Sequence, residues 1–178
     1  MIARKPLLIA LAAALATGAG CTAERPTSPS APSRLLGLGG WGSSTPKLLV
    51  CPTSAAQSAT AVIDALGGTL TAGGMTVVIP ANAVLAPTSF TLTVPASQYV
   101  EIEVGAGGAD HYVFLQPVVV VLSYSRCGGG SLLSAPYQAW NIDPDSKALL
   151  ENMGGVDSKL THTVTFSTLH FSGFAIAD

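Results

Sequence analysis

Beyond Lys47 the chain is cut by glycines, prolines and Asp-Pro turns into short runs rich in Val, Ile, Thr and aromatic residues. This punctuation constrains the fold more than any other feature. A strand is complete in roughly four to eight residues, whereas a helix needs roughly ten or more before its apolar stripe can be buried. The runs "KLLVC", "ATAVIDALGGTL", "MTVVIP", "SFTLTVP", "YVEIEV", "PVVVVLSYS", "APYQAWNID", "ALLENM", "HTVTF" and "HFSGFAIA" are the candidate strands. Two end in proline, which suits strand ends because proline cannot donate to a ladder, and Gly67-Gly68 marks a turn or bulge. "YVEIEV" alternates, placing Glu101 and Glu103 on one solvated face, as on an edge that discourages aggregation. "PVVVVLSYS" is apolar almost throughout, the pattern of a central strand covered on both sides. The only helix-compatible stretch, near Ser146 to Met153, is too short to matter. The expected fold is all-β, a single β-sandwich over residues 47–178.

The N-terminal part has a different texture. Met1 to Gly20 combine a basic start (Arg4, Lys5), an apolar run from Leu7 to about Ala16, and small residues, the layout of an export signal. That run is too short to span roughly 30 Å of hydrocarbon, and no later stretch supplies about 20 consecutive apolar residues. Directly after it, "ATGAGC" resembles the bacterial lipobox, in which small residues precede a cysteine that is acylated, palmitate being one such chain, and becomes the mature N-terminus; Gly18 stands where Leu is usual. The resemblance implies lipidation at Cys21, and Thr22 after it resembles outer-membrane sorting in some bacteria. Ala14-Leu15-Ala16 offers an ordinary signal-peptidase site as the alternative.

Exported proteins tend to pair their cysteines, and the chain has three, Cys21, Cys51 and Cys127. If Cys21 carries lipid, Cys51 and Cys127 make one disulfide. Residues 21–46, rich in Pro, Ser and Gly, read as a flexible tether. "GLGGWG" matches G-x-G-x-x-G at Gly37, Gly39 and Gly42, but a dinucleotide site needs a strand before and a helix after it, and neither pattern is present. Trp41 with Leu35, Leu36 and Leu38 forms a sticky patch in this tether. The formal charge of −2 becomes two units more negative once Arg4 and Lys5 leave with a cleaved leader, and no basic cluster exists to meet phosphates, so nucleic acid is not expected as a partner.

"GGTLTAGGMTVVIPANAVLAPTSFTLTV" resembles the opening of the ZU-five domain, the β-sandwich named from zona-occludens proteins and netrin receptors and also found in ankyrins. Gly67, Gly68, Leu70, Val78, Ile79, Pro80, Ala83 and Leu92 occupy the family's places, and "FLQPVVVVLSY" and "HFSGFAIA" are similar to its later strands, so the resemblance covers roughly Ile63 to Ala177. Asn82 stands where the family usually has Gly. Family members are mostly adaptor and interaction modules, which implies an interaction role; the partner, protein or glycan, is not legible in the residues, and no cofactor is expected because no binding motif stands in its required setting.

The same resemblance raises one chemical possibility. Some ZU-five and nuclear-pore proteins cut themselves at His-Phe-Ser: the serine hydroxyl attacks the preceding carbonyl while the imidazole takes its proton. Here His170, Phe171 and Ser172 would cut between Phe171 and Ser172 and free a short tail. As a plain last strand, His170 and Ser172 share one face and Phe171 points inward. His111, His162 and His170 with Asp143 or Asp145 are the only metal candidates, but their spacing is not that of a zinc site. "DPDSKALLENMGG" lacks the EF-hand glycine and reads as a turn at Asp143-Pro144-Asp145-Ser146. No serine sits in G-x-S-x-G. The expected function is a lipid-anchored module on the bacterial envelope, without catalysis.

Overall fold

The computed structural model describes residues 45–109, 111–128 and 134–178. The leader, Cys21, "GLGGWG", Trp41 and nearly all of the tether lie outside the described residues. The described residues form eleven strands: β1 (Gln57–Ile63), β2 (Gly68–Ala72), β3 (Met75–Ile79), β4 (Thr88–Val94), β5 (Glu101–Ala106), β6 (Tyr112–Ser123), β7 (Gln138–Ile142), β8 (Leu149–Gly154), β9 (Val156–Ser158), β10 (Thr163–Phe171) and β11 (Gly173–Ala177). They form two antiparallel sheets, ordered β1-β4-β5-β11-β7-β8 and β2-β3-β6-β10-β9. This is the β-sandwich that the sequence leads one to expect.

Strict alternation builds the core. Leu70, Val77, Ile79, Val118, Val120 and Leu122 of one sheet and Phe90, Leu92, Ile102, Val104, Phe174 and Ile176 of the other are all at most 3% exposed, and each sits two residues from the next inward neighbour on its strand. The turn at Gly67 closes the first crossing. Gly67 has φ +78°, and a Cβ there would lie 2.4 Å from the Ile79 carbonyl oxygen, so glycine is required. Asn82 has φ 61°, a left-handed conformation that glycine adopts freely and asparagine tolerates.

Several sequence expectations need correction. "ATAVIDALGGTL" is two strands, β1 and β2, separated by a turn in which the Leu66 N–H donates to Asp64 Oδ1 at 2.9 Å. "KLLVC" is not a strand but makes single bridges, Leu48 to Ala177 and Val50 to Tyr99. β5 is no solvated edge: it lies between β4 and β11, and Glu101 is 2% exposed because the Lys147 ammonium reaches it at 2.7 Å. β6 is the middle strand of its sheet but is covered on one side only, since Val119 and Val121 stay half-buried while Val118, Val120 and Leu122 are sealed. Pro117 falls where the β6–β10 register slips, a position at which its missing N–H costs no ladder bond.

The last strand of the sequence reading is two strands. β10 ends at Phe171 in one sheet and β11 begins at Gly173 in the other, so Ser172 is the corner between them. Phe171 is fully buried and meets Phe90 and Phe114 edge-on, with ring centroids 5.9 and 4.4 Å away. We expect Phe171→Ala to lower stability by about 3–5 kcal/mol through the cavity it leaves. Ser172→Ala should cost about 1 kcal/mol, the worth of one hydrogen bond. Denaturant unfolding of the two variants checks the ordering.

Candidate functional site

Three places on the domain carry polar or reactive groups that the core does not explain. The first is the stapled end where the N-terminal segment joins the sandwich. Cys51 and Cys127 form a disulfide with Cα atoms 4.7 Å apart, the pair reached by cysteine counting. A 3₁₀ turn, Ser125–Cys127, delivers Cys127 just after β6, and Arg126 beside it donates to the carbonyls of Pro52 (2.8 Å), Ser97 (3.0 Å) and Tyr99. Further along, the Leu49 N–H donates to the Ile176 carbonyl at 2.8 Å and the Asp178 N–H to the Lys47 carbonyl at 3.1 Å. One guanidinium and one covalent bond therefore fix the segment that leads toward the N-terminus, and the C-terminus lies against it. Arg126 was not singled out from the sequence, because a lone arginine beside a cysteine carries no pattern.

The second place is the His170-Phe171-Ser172 corner. Ser172 Oγ accepts from Asn141 Nδ2 on the neighbouring strand β7. The His170 ring stacks on His111 with centroids 5.8 Å apart and lies 6.2 Å from Phe174; its Nδ1 is buried without a hydrogen-bond partner. Among the described residues no hydrogen bond joins the imidazole to the Ser172 hydroxyl. His111 and His170 come together, but His162 lies instead against Tyr124, 5.5 Å between centroids. Among the described residues no group of three or more His, Cys, Asp or Glu side chains could hold a metal ion.

Beside the corner, a shallow cavity of about 540 Å³ opens on the outer face of the six-stranded sheet. Thr93, Glu103 and Gly173 are successive cross-strand neighbours on its floor, and Pro144 and Asp145 form its wall. The wall is the turn expected at Asp143–Ser146: Asp143 Oδ1 accepts from the Asp145 and Ser146 amides at 3.1 and 2.7 Å and from Ser146 Oγ at 2.8 Å. These bonds, those from Ser146 foremost, hold the Asp143 carboxyl below the usual carboxylate range. The turn also aims Lys147, with φ 59°, at Glu101. Of that pair Glu101 is sealed, and its Oε1 is buried without a partner. Sequence spacing alone could not show that Lys147 folds back onto a strand 46 residues away.

The third place is a closed polar network around Asp157. Oδ1 accepts from the Tyr124 hydroxyl at 2.7 Å, and Oδ2 accepts from the Tyr137 amide and the Lys159 ammonium, both at 2.8 Å. Lys159 Nζ also lies 3.8 Å from the centre of the Tyr137 ring, a cation–π contact. Burial acts to raise the Asp157 pKa, but the Lys159 ammonium, the Tyr124 hydroxyl and the Tyr137 amide together outweigh it and hold the carboxyl below its ordinary value. Burial, followed by the bond to Asp157, pushes the Tyr124 phenol well above its ordinary value. The network is structural: it pins β9 and the start of β7 to the end of β6.

No protein-family model matches the chain, and no curated protein sequence matches it.

The Asp157 network contributes to the pH dependence of stability. The folded state lowers this carboxyl's pKa, so its contribution is fully present above the unfolded value of about 3.9 and is lost as pH falls through the folded value. Tyr124 acts at the other limit, since its raised pKa makes the folded state lose stability once pH climbs past about 10. Asp157→Asn should cost about 1–3 kcal/mol at neutral pH, because it leaves the partly buried Lys159 ammonium without its counter-charge and only the Ala135 carbonyl as acceptor. It should also flatten the acid limb of a stability–pH curve measured by urea unfolding; an acid limb equal to the parent's would refute the assignment.

Proposed function

We propose that the chain is a lipid-anchored protein of the bacterial envelope, held by acylated Cys21 at the outer membrane, whose β-sandwich serves as an interaction module and performs no catalysis. The observation that carries this reading is the Cys51–Cys127 disulfide. It uses two of the three cysteines in the chain and leaves Cys21, next to the apolar leader, as the third. A disulfide also fits an oxidising compartment. Two or more acyl chains, each contributing roughly 0.8 kcal/mol per buried CH₂, suffice to hold a protein on a bilayer without a spanning helix. Residues 21–46 would let the domain stand up to about 90 Å from the anchor when extended. The disulfide and the Arg126 clamp then take any pull on the tether at its point of entry. A ZU-five-like assignment is part of the same proposal, and the hydroxyl- and carboxylate-lined cavity at Thr93, Glu103 and Asp145 offers a polar protein or glycan partner a recognisable surface.

In this reading the chain stays whole across Phe171–Ser172. Phe171 and Phe174 anchor the corner in the core, and Asn141 engages the serine hydroxyl that would have to act as nucleophile. A cut there would sever β11, which lies between β5 and β7, from the rest of its chain.

Cys21→Ser should convert a membrane-bound protein into a soluble or unprocessed one, followed by fractionation and by the mass of the mature N-terminus. Unchanged membrane partition of that variant, with the cut in the same place, would overturn the anchor. Intact mass of the exported parent should place the C-terminus at Asp178. A species ending at Phe171 that disappears in Ser172→Ala would establish self-processing instead.

A further inference from the structure

The outer face of the five-stranded sheet is built unlike that of its companion. The six-stranded sheet turns Glu101 and Glu103 outward and closes Lys147 over one of them. Across the five-stranded sheet the outward positions form rows of another kind. One row runs Val78, Val119, Ser167, and the next runs Thr76, Val121, Thr165, Val156. No described side chain in these rows is charged. Past the register slip the face continues into Val113, Leu115 and Leu169, which are 64%, 55% and 48% exposed.

We propose that this face is the interface of a homodimer, two copies packing sheet on sheet through β3, β6 and β10. The run "PVVVV" puts valine on both sides of β6, the composition of a strand covered twice, yet the sandwich itself covers only the side of Val118 and Val120. The outer valines lack the cover that their residue type suits. Depletion of charge at the centre of a patch is the compositional sign of an interface core. Here it bears on the choice of occupant too. A face without charge offers an acidic or basic partner nothing to recognise, whereas two copies of a net-negative chain can meet through it without repulsion. Rows of Thr and Val are also self-complementary under a two-fold axis, as an isologous contact requires, with hydroxyl facing hydroxyl and methyl facing methyl.

The area is sufficient. With β3, β6 and β10 at its centre and the shorter β2 and β9 at its margins, the whole sheet, at about 3.4 Å per residue and about 4.8 Å between strands, presents about 550 Å² per copy, or about 1,100 Å² for the pair, which reaches the lower bound for a specific interface. Edge-to-edge pairing is the less favourable route, because the outer strands of this sheet, β2 and β9, have only five and three residues.

The test is the mass of the full exported chain in solution or in detergent, measured by sedimentation together with intact mass spectrometry. The parent is expected to sediment as two chains. Val121→Lys and Thr165→Glu, made separately, each place two like charges across the two-fold axis and should raise the dissociation constant a hundredfold or more. Thr60→Lys on the outer face of the other sheet should leave it unchanged. Circular dichroism and the intact disulfide confirm that the variants fold. A parent that stays a single chain up to about 100 µM, or a dimer that survives both substitutions, overturns the proposal. The intact mass reports acylation independently, so a lipid-bearing monomer would overturn the dimer alone and a lipid-free dimer the anchor alone.

Discussion

Burial of Phe171 and Phe174 on either side of the Ser172 corner couples the two sheets, because one continuous stretch of chain supplies an interior strand to each of them. β10 lies between β6 and β9 and β11 between β5 and β7, so neither can shift without breaking two ladders. Gly173 makes the passage possible, since a Cβ there would come within 3.0 Å of the Ile142 carbonyl oxygen. The aromatic rings of Phe90, Tyr112, Phe114 and Phe171 fill the space under the corner, each packed against the next. Three of these contacts are edge-to-face and Phe90 stacks on Phe114, geometries that add roughly 0.5–1.5 kcal/mol per pair to the area they bury. Ser172 itself is the single residue between the two strands, and Asn141 donates to its hydroxyl.

The opposite end of the β6–β10 ladder is closed by different means. At the corner Phe171 pairs with Tyr112, the first residue of β6, and at the far end Thr163 pairs with Ser123, its last. Just beyond Ser123 come Tyr124, Arg126 and Cys127, bound respectively to Asp157, to three backbone carbonyls and to Cys51. One end is thus held by apolar packing and the other by a covalent bond and buried charge. The loop closed by the disulfide separates its cysteines by 76 residues, for which chain entropy alone gives about 4–5 kcal/mol. That contribution falls at the end where both chain termini of the domain meet and where fraying would otherwise begin.

Much of this was legible in the sequence, and the limits have physical causes. Alternation located the strands because side-chain direction has period two, and the turns at Gly67 and Asp143 announced themselves through residue chemistry. The sequence reading was misled wherever two neighbours on the chain belong to different sheets. "HFSGFAIA" alternates smoothly through Ser172, and nothing local records that the hydrogen-bonding partner changes from β6 to β5 and β7. Glu101 was read as solvated because its strand looks amphipathic. Its burial depends on Lys147, which arrives from a distant turn, and a pairing across 46 residues leaves no periodic trace. Tyr124, Asp157 and Lys159 went unnoticed for the same reason. The disulfide was accessible only because three cysteines leave few pairings, and a lipid on Cys21 would leave one.

The valine run of β6 is an instructive misreading. The inference that a strand apolar on both sides is covered on both sides is sound as physics, since half-exposed Val119 and Val121 leave a hydrophobic contribution unrealised, worth about 25 cal/mol per Å² of apolar surface. The single domain supplies cover for one side only. A β-sandwich whose other outer face spends its polar residues freely, with threonines, two glutamates and a lysine over β4 and β5, has no compositional shortage of polar side chains with which to solvate this one. The asymmetry is therefore specific to the β3–β6–β10 surface. It points outward from the fold, to a contact that the domain makes and cannot make with itself.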